Sequence, residues 1–507
     1  MSTLPGLYRH SLALLTDLYQ LTMAYGYWKL GRADDHAVFQ LYFRKNPFGG
    51  GFAVAAGLGY VVDYLSSLRF DEGDLAYLRT LKGNDGRPLF DGGFVDYLRD
   101  LRFTCDIDAV AEGTVVFPNE PLLRVSGPIL QAQILETPLL NMINFQTLVA
   151  TKAARVCEAT GGEPVIEFGL RRAQGVDGSL AASRAAYVGG VHATSNVLAG
   201  KLFGIPVKGT HAHSWVMSFD GEMQSFEAYA GAMPNNCVFL VDTYNTIEGV
   251  RRAVEVGRKL REAGHEMVGV RLDSGDLAYL SIEARRILDE GGFPQAKILA
   301  SNDLDENIIV SLKSQGARID TWGVGTKLVT AYDQPALGGI YKLSALRKAD
   351  GQWEYKVKLS EQAAKVSTPG VLNVRRYFRE DGEAMGDMIY NEQFAMPADP
   401  TIVDPFDFSR RKRLAGGAPH EDLLVPVFRG GRCVYEVPAL AASRERTGKQ
   451  LARFHAGIKR FVNPHQYPVG LERSLHDLKT RLVLEARGVA EEGEGAWRTS
   501  GVGVATT

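Results

Sequence analysis

Met267-Val268-Gly269-Val270, running into Arg271-Leu272-Asp273-Ser274-Gly275, is the stretch on which the fold turns. The short apolar run reads as a buried strand, and it breaks off into a cation, a carboxylate, a hydroxyl and a turn glycine. Leu277–Glu290 then carries helical spacing. The same hand-over recurs on both sides. Residues 165–168 end in Gly169-Leu170-Arg171-Arg172, and 205–207 end in Gly209-Thr210-His211-Ala212-His213-Ser214-Trp215. Residues 238–241 end in Asp242-Thr243-Tyr244-Asn245, 298–300 in Ser301-Asn302-Asp303, and 319–324 in Gly325-Thr326-Lys327. A helix over 246–263 fills one of the intervals. Strand-then-helix units at this spacing predict a parallel α/β sheet or barrel. In such folds the carboxyl ends of the strands carry the active site, because loops and helix N-termini converge there.

The flanking regions read differently. Residues 12–28 have the spacing of an amphipathic helix, with Thr16 or Asp17 near its start and Tyr19 on it. Residues 37–43 alternate as a strand, followed by a turn through Gly49-Gly50-Gly51. Asp106–Val110, 113–117 and 121–125 suggest short strands of a small β subdomain. A helix over 136–155 follows, with Pro138 tolerated only in its first turn. Beyond Leu343 the chain becomes more polar, with strands expected over 351–359 and 373–378 and a helix over 474–485 capped by Ser474. The expected division is an N-terminal α+β domain over 1–160, an irregular α/β barrel over 161–345, and a C-terminal region over 346–507 packing back on the N-terminal domain.

Composition bounds the function. The chain has 507 residues, 45% hydrophobic and 23% charged, with a formal net charge of −2. That is ordinary for a globular enzyme and gives no basic footprint for nucleic acid. No apolar run is long enough to span a bilayer, and 1–10 lacks the apolar core of a secretory signal. Residues 488–507 read as a frayed end. Four scattered cysteines without CxxC pairing argue against a disulfide scaffold or zinc ribbon. A cytoplasmic enzyme, with neither nucleic acid nor membrane as partner, is the expectation.

The strand-end residues suit a sugar phosphate and a metal-bound diphosphate. Asp242, Asp273 and Asp276 can hold Mg²⁺ (or Mn²⁺) directly or through water. Arg171 and Arg271 can fork onto carboxylate or phosphate oxygens. Ser274-Gly275, Ser301-Asn302 and Gly323-Val324-Gly325-Thr326 can offer backbone N–H groups to phosphate. Each group alone also suits a salt bridge or a turn. His211 and His213 form an HxH pair, but no later strand-end histidine completes a hydrolase-type metal set. A neutral histidine among hydroxyls and carboxylates can instead act as a nucleophile toward a phosphoryl donor. There is no P-loop and no strand-linked Gly-x-Gly-x-x-Gly fingerprint.

In this order and spacing the sequence resembles the nicotinate phosphoribosyltransferase family, of the type II phosphoribosyltransferase group, over most of its length. The resemblance rests on Thr16-Asp17-Leu18-Tyr19-Gln20, Phe43-Arg44, Glu167-Phe168-Gly169-Leu170-Arg171-Arg172, residues 209–215, Asp242-Thr243-Tyr244, residues 269–275, Ser301-Asn302 and 323–326. Gly338-Gly339-Ile340-Tyr341-Lys342-Leu343 and Tyr467-Pro468-Val469-Gly470-Leu471 also fit. It implies condensation of nicotinate with phosphoribosyl pyrophosphate, coupled to ATP hydrolysis, in NAD salvage, by a homodimer with shared active sites. It further implies that His213 is phosphorylated by ATP, that Tyr19, Thr210 and Arg271 contact nicotinate, and that Phe168 stacks on its ring. Arg171, Asp242 and Asp273 fall around the substrate and Mg²⁺; Ser301, Asn302, Gly325 and Thr326 fall on the substrate side. A hydroxyl contacting the phosphoribosyl group falls at Ser367 or Thr368. His211 receives no role. The alternatives are a related nicotinamide or quinolinate enzyme, a non-catalytic nucleotide-binding homologue, and a barrel metal hydrolase.

Overall fold

The computed structural model describes residues 11–362 and 365–489. The readings made of 1–10 and of 490–507 lie outside the described residues. Six short strands form one parallel sheet in the order Ala193–Thr194, Val165–Glu167, Thr321–Val324, Lys297–Ser301, Gly269–Leu272, Val238–Leu240. Their interiors are Val, Ile, Leu, Phe and Trp, and helices Thr246–Glu262, Leu277–Glu290 and Glu306–Ser314 cover them. Asn245, Asp276 and Asp305 cap these helices by accepting from backbone N–H groups of the first turn. Asp276, expected among the Mg²⁺ ligands, spends an oxygen on the N–H groups of Ala278 and Tyr279.

Residues 205–207 do not form the expected strand. Val197–Phe203 is a helix, and Val207 makes only a single parallel bridge to Thr194. The backbone ladder therefore does not run full circle among the described residues. Val238–Leu240 has a strand partner on one side only.

The rest of the described residues build two larger sheets and one of two strands, Ala53–Val54 with Val115–Val116. A seven-stranded sheet runs Trp353–Tyr355, Gly339–Arg347, His36–Phe43, Leu123–Pro128, Asp106–Val110, Leu424–Arg429, Arg432–Cys433. Of the strands expected as a separate small β subdomain, Asp106–Val110 and the one over 121–125 are thus absorbed into a larger sheet shared with the C-terminal region, whose Leu424–Arg429 pairs with Asp106–Val110, whereas 113–117 contributes only Val115–Val116, which pairs with Ala53–Val54. The expected boundary at 345 falls inside Gly339–Arg347, which pairs with His36–Phe43, and we propose that the barrel unit ends before Gly339. A six-stranded sheet includes Leu372–Phe378, Ala384–Asn391 and Val469–Glu472.

The long helix runs Glu136–Thr160, with Pro138 in its first turn and Gly161 closing it at φ 66°. It packs between the barrel and the N-terminal sheet. The N-terminal helix is Leu18–Lys29, with Asp17 at its cap position. The last helix is Arg473–Ala486. Its start is capped by the Glu472 carboxylate, not by Ser474, whose backbone N–H is one of the donors.

Candidate active site

Strand ends bring Phe168, Arg271, Ser301, Asp273, Thr210 and His213 together. Arg271 projects from Gly269–Leu272 and is held on three sides. Its Nε donates to Ser301 Oγ at 2.8 Å, one terminal nitrogen to Thr210 Oγ1 at 3.1 Å, and the other to Asp273 Oδ1 at 2.8 Å. A guanidinium has five N–H donors, so two remain for a ligand. Its carbon lies 5.4 Å from the centroid of the Phe168 ring. Ser301 accepts from Arg271 and donates to Asp273.

Asp273 joins this cluster to His213. The Asp273 Oδ2 lies 3.7 Å from His213 Nε2, while His213 Nδ1 is 3.1 Å from Thr243 Oγ1. Burial by itself raises the Asp273 carboxyl, but the Ser301 hydroxyl, the Arg271 guanidinium and nearby His213 together hold it below its ordinary value. The group is therefore a carboxylate at neutral pH. Thr243, on the loop after Val238–Leu240 and without a role in the sequence reading, orients the imidazole.

Asp242 sits one loop away. Its Oδ2 accepts from the backbone N–H of Asp273 at 2.9 Å and from Ser274 Oγ at 2.6 Å. Its Oδ1 is buried with no hydrogen-bond partner. One free oxygen fits a divalent cation of the Mg²⁺ type, which takes one or two carboxylates and fills its shell with water and substrate phosphate. Asp273 fits less well, since Arg271 and Ser301 already occupy Oδ1. Among the described residues no group of three His, Cys, Asp or Glu could hold a metal on its own.

Phe168 is seated from below. The buried Glu167 carboxylate accepts from the backbone N–H of Gly169, from Ser183 Oγ at 2.8 Å and from Thr194 Oγ1 at 2.6 Å. A carboxylate ending a core strand was the only sequence signal for this seat. Gly323 lies against the ring, where an added Cβ would stand 2.7 Å from two Phe168 ring carbons.

The remaining expected residues are less uniform. Arg171 is exposed, on the short Leu170–Arg172 turn after the same strand. Asn302 is exposed at φ 116°, in the turn that ends Lys297–Ser301. Gly325 and Thr326 begin a helix of only four residues, Thr326–Val329. Tyr19 is 48% exposed on the N-terminal helix, with no ring contact to Phe168 among the described residues. Ser367 is buried and accepts from the Lys358 backbone N–H, and Thr368 accepts from Lys479 Nζ at 3.2 Å. Within one chain these three do not meet the barrel cluster.

Family models match along the chain: the nicotinate phosphoribosyltransferase N-terminal domain over 14–144, the family domain over 164–371, and the C-terminal domain over 373–479. The nicotinate phosphoribosyltransferase of Bacillus subtilis is 43% identical over 486 residues, covering 95% of this chain and 97% of that protein. The human protein of the same name is 36% identical, over 92% of this chain and 96% of its own. The crystal structure of human nicotinic acid phosphoribosyltransferase superposes with a TM-score of 0.80 at 34% identity, over 92% of this chain and 99% of that one. A nicotinate-nucleotide pyrophosphorylase from Pyrococcus furiosus, at 20% identity and a TM-score of 0.65, shares the fold.

Proposed function

The chain belongs to the nicotinate phosphoribosyltransferase family, and from that premise we propose that it joins nicotinate to phosphoribosyl pyrophosphate in NAD salvage, with ATP as co-substrate. The observation that carries the reading is the Phe168–Arg271–Asp273–His213 cluster. It offers an aromatic face, a cation with two spare N–H donors, and a histidine beside an ionised carboxylate, joined by direct contacts.

Nicotinate arrives as an anion whose ring nitrogen carries a lone pair, so no base has to remove a proton. Phe168 provides the stacking surface, and Arg271 with Thr210 takes the carboxylate, which aims the nitrogen at the anomeric carbon. The C1–O bond then breaks with its electron pair leaving on pyrophosphate, and the nitrogen lone pair forms the C1–N bond. Asp242, with Asp273 close by, would hold a divalent cation, whose chemistry there would be charge compensation for the leaving diphosphate. Ser301, Asn302, Gly325, Thr326 and Arg171 lie at or shortly after the ends of neighbouring strands and suit the phosphate and ribose oxygens.

His213 is the acceptor for ATP. With its Nδ1–H donated to Thr243, Nε2 keeps a lone pair that forms an N–P bond as the bond to ADP breaks. Water later cleaves the N–P bond and releases phosphate, and Asp273 balances the charge on the ring in between. Tyr19 and Ser367 or Thr368 contribute from a second copy of the chain, which gives a homodimer with shared sites. Exposed Leu15, Leu18 and Tyr19 at and just before the N-terminal helix, and exposed Leu170, Val176, Val197 and Leu198 on three elements of the barrel unit, support that pairing. No helix among the described residues is long and apolar enough to cross a membrane, in keeping with a cytoplasmic enzyme.

The test is nucleotide formation from nicotinate, nicotinamide and quinolinate in competition, with and without ATP. Nicotinate mononucleotide as the dominant product, stimulated by ATP, is expected. Preference for either other substrate, or no pyrophosphate release, would overturn the reading.

A further inference from the structure

His211 stands between Thr210 and His213 without a task of its own, yet it is only 7% exposed. Its Nε2 accepts from the backbone N–H of Leu240 at 3.2 Å. Leu240 belongs to Val238–Leu240, which ends the parallel sheet. The neighbouring amide of Val241 donates to the Arg271 carbonyl on the next strand, whereas that of Leu240 points to the unpaired side. A buried amide there would be an orphan without an acceptor, and no backbone supplies one. On the far edge, residues 206–208 bond to Thr194 through Pro206 O and Lys208 N. The segment from 206 to 211 thus spans the gap between the two edges of the sheet. It reaches one edge with backbone and the other with an imidazole.

The ring is held in place for that purpose. Tyr229 meets it at 4.8 Å and 61°, and Phe226 lies 6.2 Å away. Burial pushes its pKa down to about 4, so it stays neutral and keeps a lone pair at neutral pH. On either side of it stand Thr210, bonded to Arg271, and His213, bonded to Thr243.

We infer that His211 is a positioning residue that closes the seam of the barrel with its side chain and thereby sets Thr210 and His213 against Arg271 and Asp273. The inference deepens the reading given above and rests on it for the roles of Thr210 and His213. One anchor serves both the nicotinate side and the phosphoryl side, so its loss weakens both together.

The full-length protein and the variants His211→Leu, His211→Asn and His211→Gln distinguish the possibilities. Gln places its amide oxygen about where Nε2 stands, whereas Asn is too short to reach Leu240. Hydrogen exchange of the peptide containing Leu240 reads the anchor whatever reaction the enzyme performs. Nicotinate KM and the acid-labile phosphate formed from labelled ATP read the positioning. We expect faster exchange, about tenfold higher KM and a matching fall in phosphohistidine for Leu and Asn, with all three restored toward wild type in Gln. If Leu does not fold, the Asn and Gln pair still decides. Unchanged exchange in Asn overturns the anchor. Faster exchange with unaltered KM and phosphorylation, or no recovery in Gln, overturns the positioning role. A wild-type protein inactive on nicotinate sinks the proposed reaction, while the exchange data still judge the seam.

Discussion

His213 Nε2 and Asp273 Oδ2 face each other at 3.7 Å, and the other oxygen of that carboxylate is already bound by Arg271 and Ser301. Asp273 therefore connects the group that would bind the pyridine carboxylate to the group that would carry phosphate. Asp273→Asn removes the charge from both. We expect kcat/KM for nicotinate to fall by about a hundredfold or more, with ATP-dependent labelling of His213 lost. His213→Ala, by contrast, should keep slow ATP-independent turnover while losing all stimulation by ATP. Full stimulation in that variant would exclude the phosphohistidine.

Gly323 and Phe168 make a second pair that can be separated by one methyl group. The Cβ introduced by Gly323→Ala would overlap the ring at 2.7 Å, so the ring must move. Overpacking of this kind costs about 1–3 kcal/mol. The expected signature is a raised nicotinate KM with ATP-driven phosphorylation of His213 unchanged, measured by steady-state kinetics and phosphate labelling side by side.

Asp242 keeps a buried carboxylate oxygen without a partner, whereas Asp276 is exposed and its Oδ1 caps a helix. Asp242→Asn should raise the Mg²⁺ concentration giving half-maximal rate by roughly tenfold to a hundredfold. Asp276→Asn keeps a helix cap and should leave that concentration unchanged. A metal titration of the two variants checks both statements.

Acid stability should report on Glu112 and Arg184, which form a buried two-point pair linking the loop after Asp106–Val110 to helix Val176–Val188. Burial raises the Glu112 carboxyl, but Arg184 and the N–H groups of Gly57 and Gly59 more than reverse it, so it lies below its ordinary 4.5. A carboxyl depressed in the folded state contributes stability that is present above pH 4.5 and is lost as pH falls through the lower folded value. Denaturant melts should therefore weaken below about pH 4.5. Glu112→Gln, which leaves Arg184 buried without a counter-charge, should cost about 3–5 kcal/mol at neutral pH and flatten that dependence.

Tyr19 and His213 should complement each other across subunits. Tyr19→Ala and His213→Ala, each weakly active alone, should recover activity when unfolded together and refolded. If sites are shared, each hybrid dimer holds one intact site, giving about a quarter of wild-type activity at equal mixing. No recovery would mean that Tyr19 acts within its own chain or not at all.

The parallel strand-and-helix core was legible along the chain, because apolar runs of three to six residues followed by polar ends and helical spacing are local signals. Local pattern also placed Phe168, Arg271 and Asp273 at strand ends, where burial forces a polar residue to find a partner, whereas His213 was expected after a strand over 205–207 that does not form. Its errors have one cause. Whether 205–207 forms a strand, whether Asp106–Val110 joins a small or a large sheet, and whether Ser474 or Glu472 caps the last helix depend on what packs alongside. Only the tertiary structure decided that Glu167 seats Phe168, that Asp276 caps a helix while Asp242 keeps an oxygen free, and that His211 reaches Leu240. The bonds of Glu167 to Ser183 and Thr194, of Asp242 to Asp273 and Ser274, and of His211 to Leu240 join residues 16 to 32 positions apart. A hydrogen bond or a close methyl contact acts over about 3–4 Å, a distance that spacing along a chain does not encode.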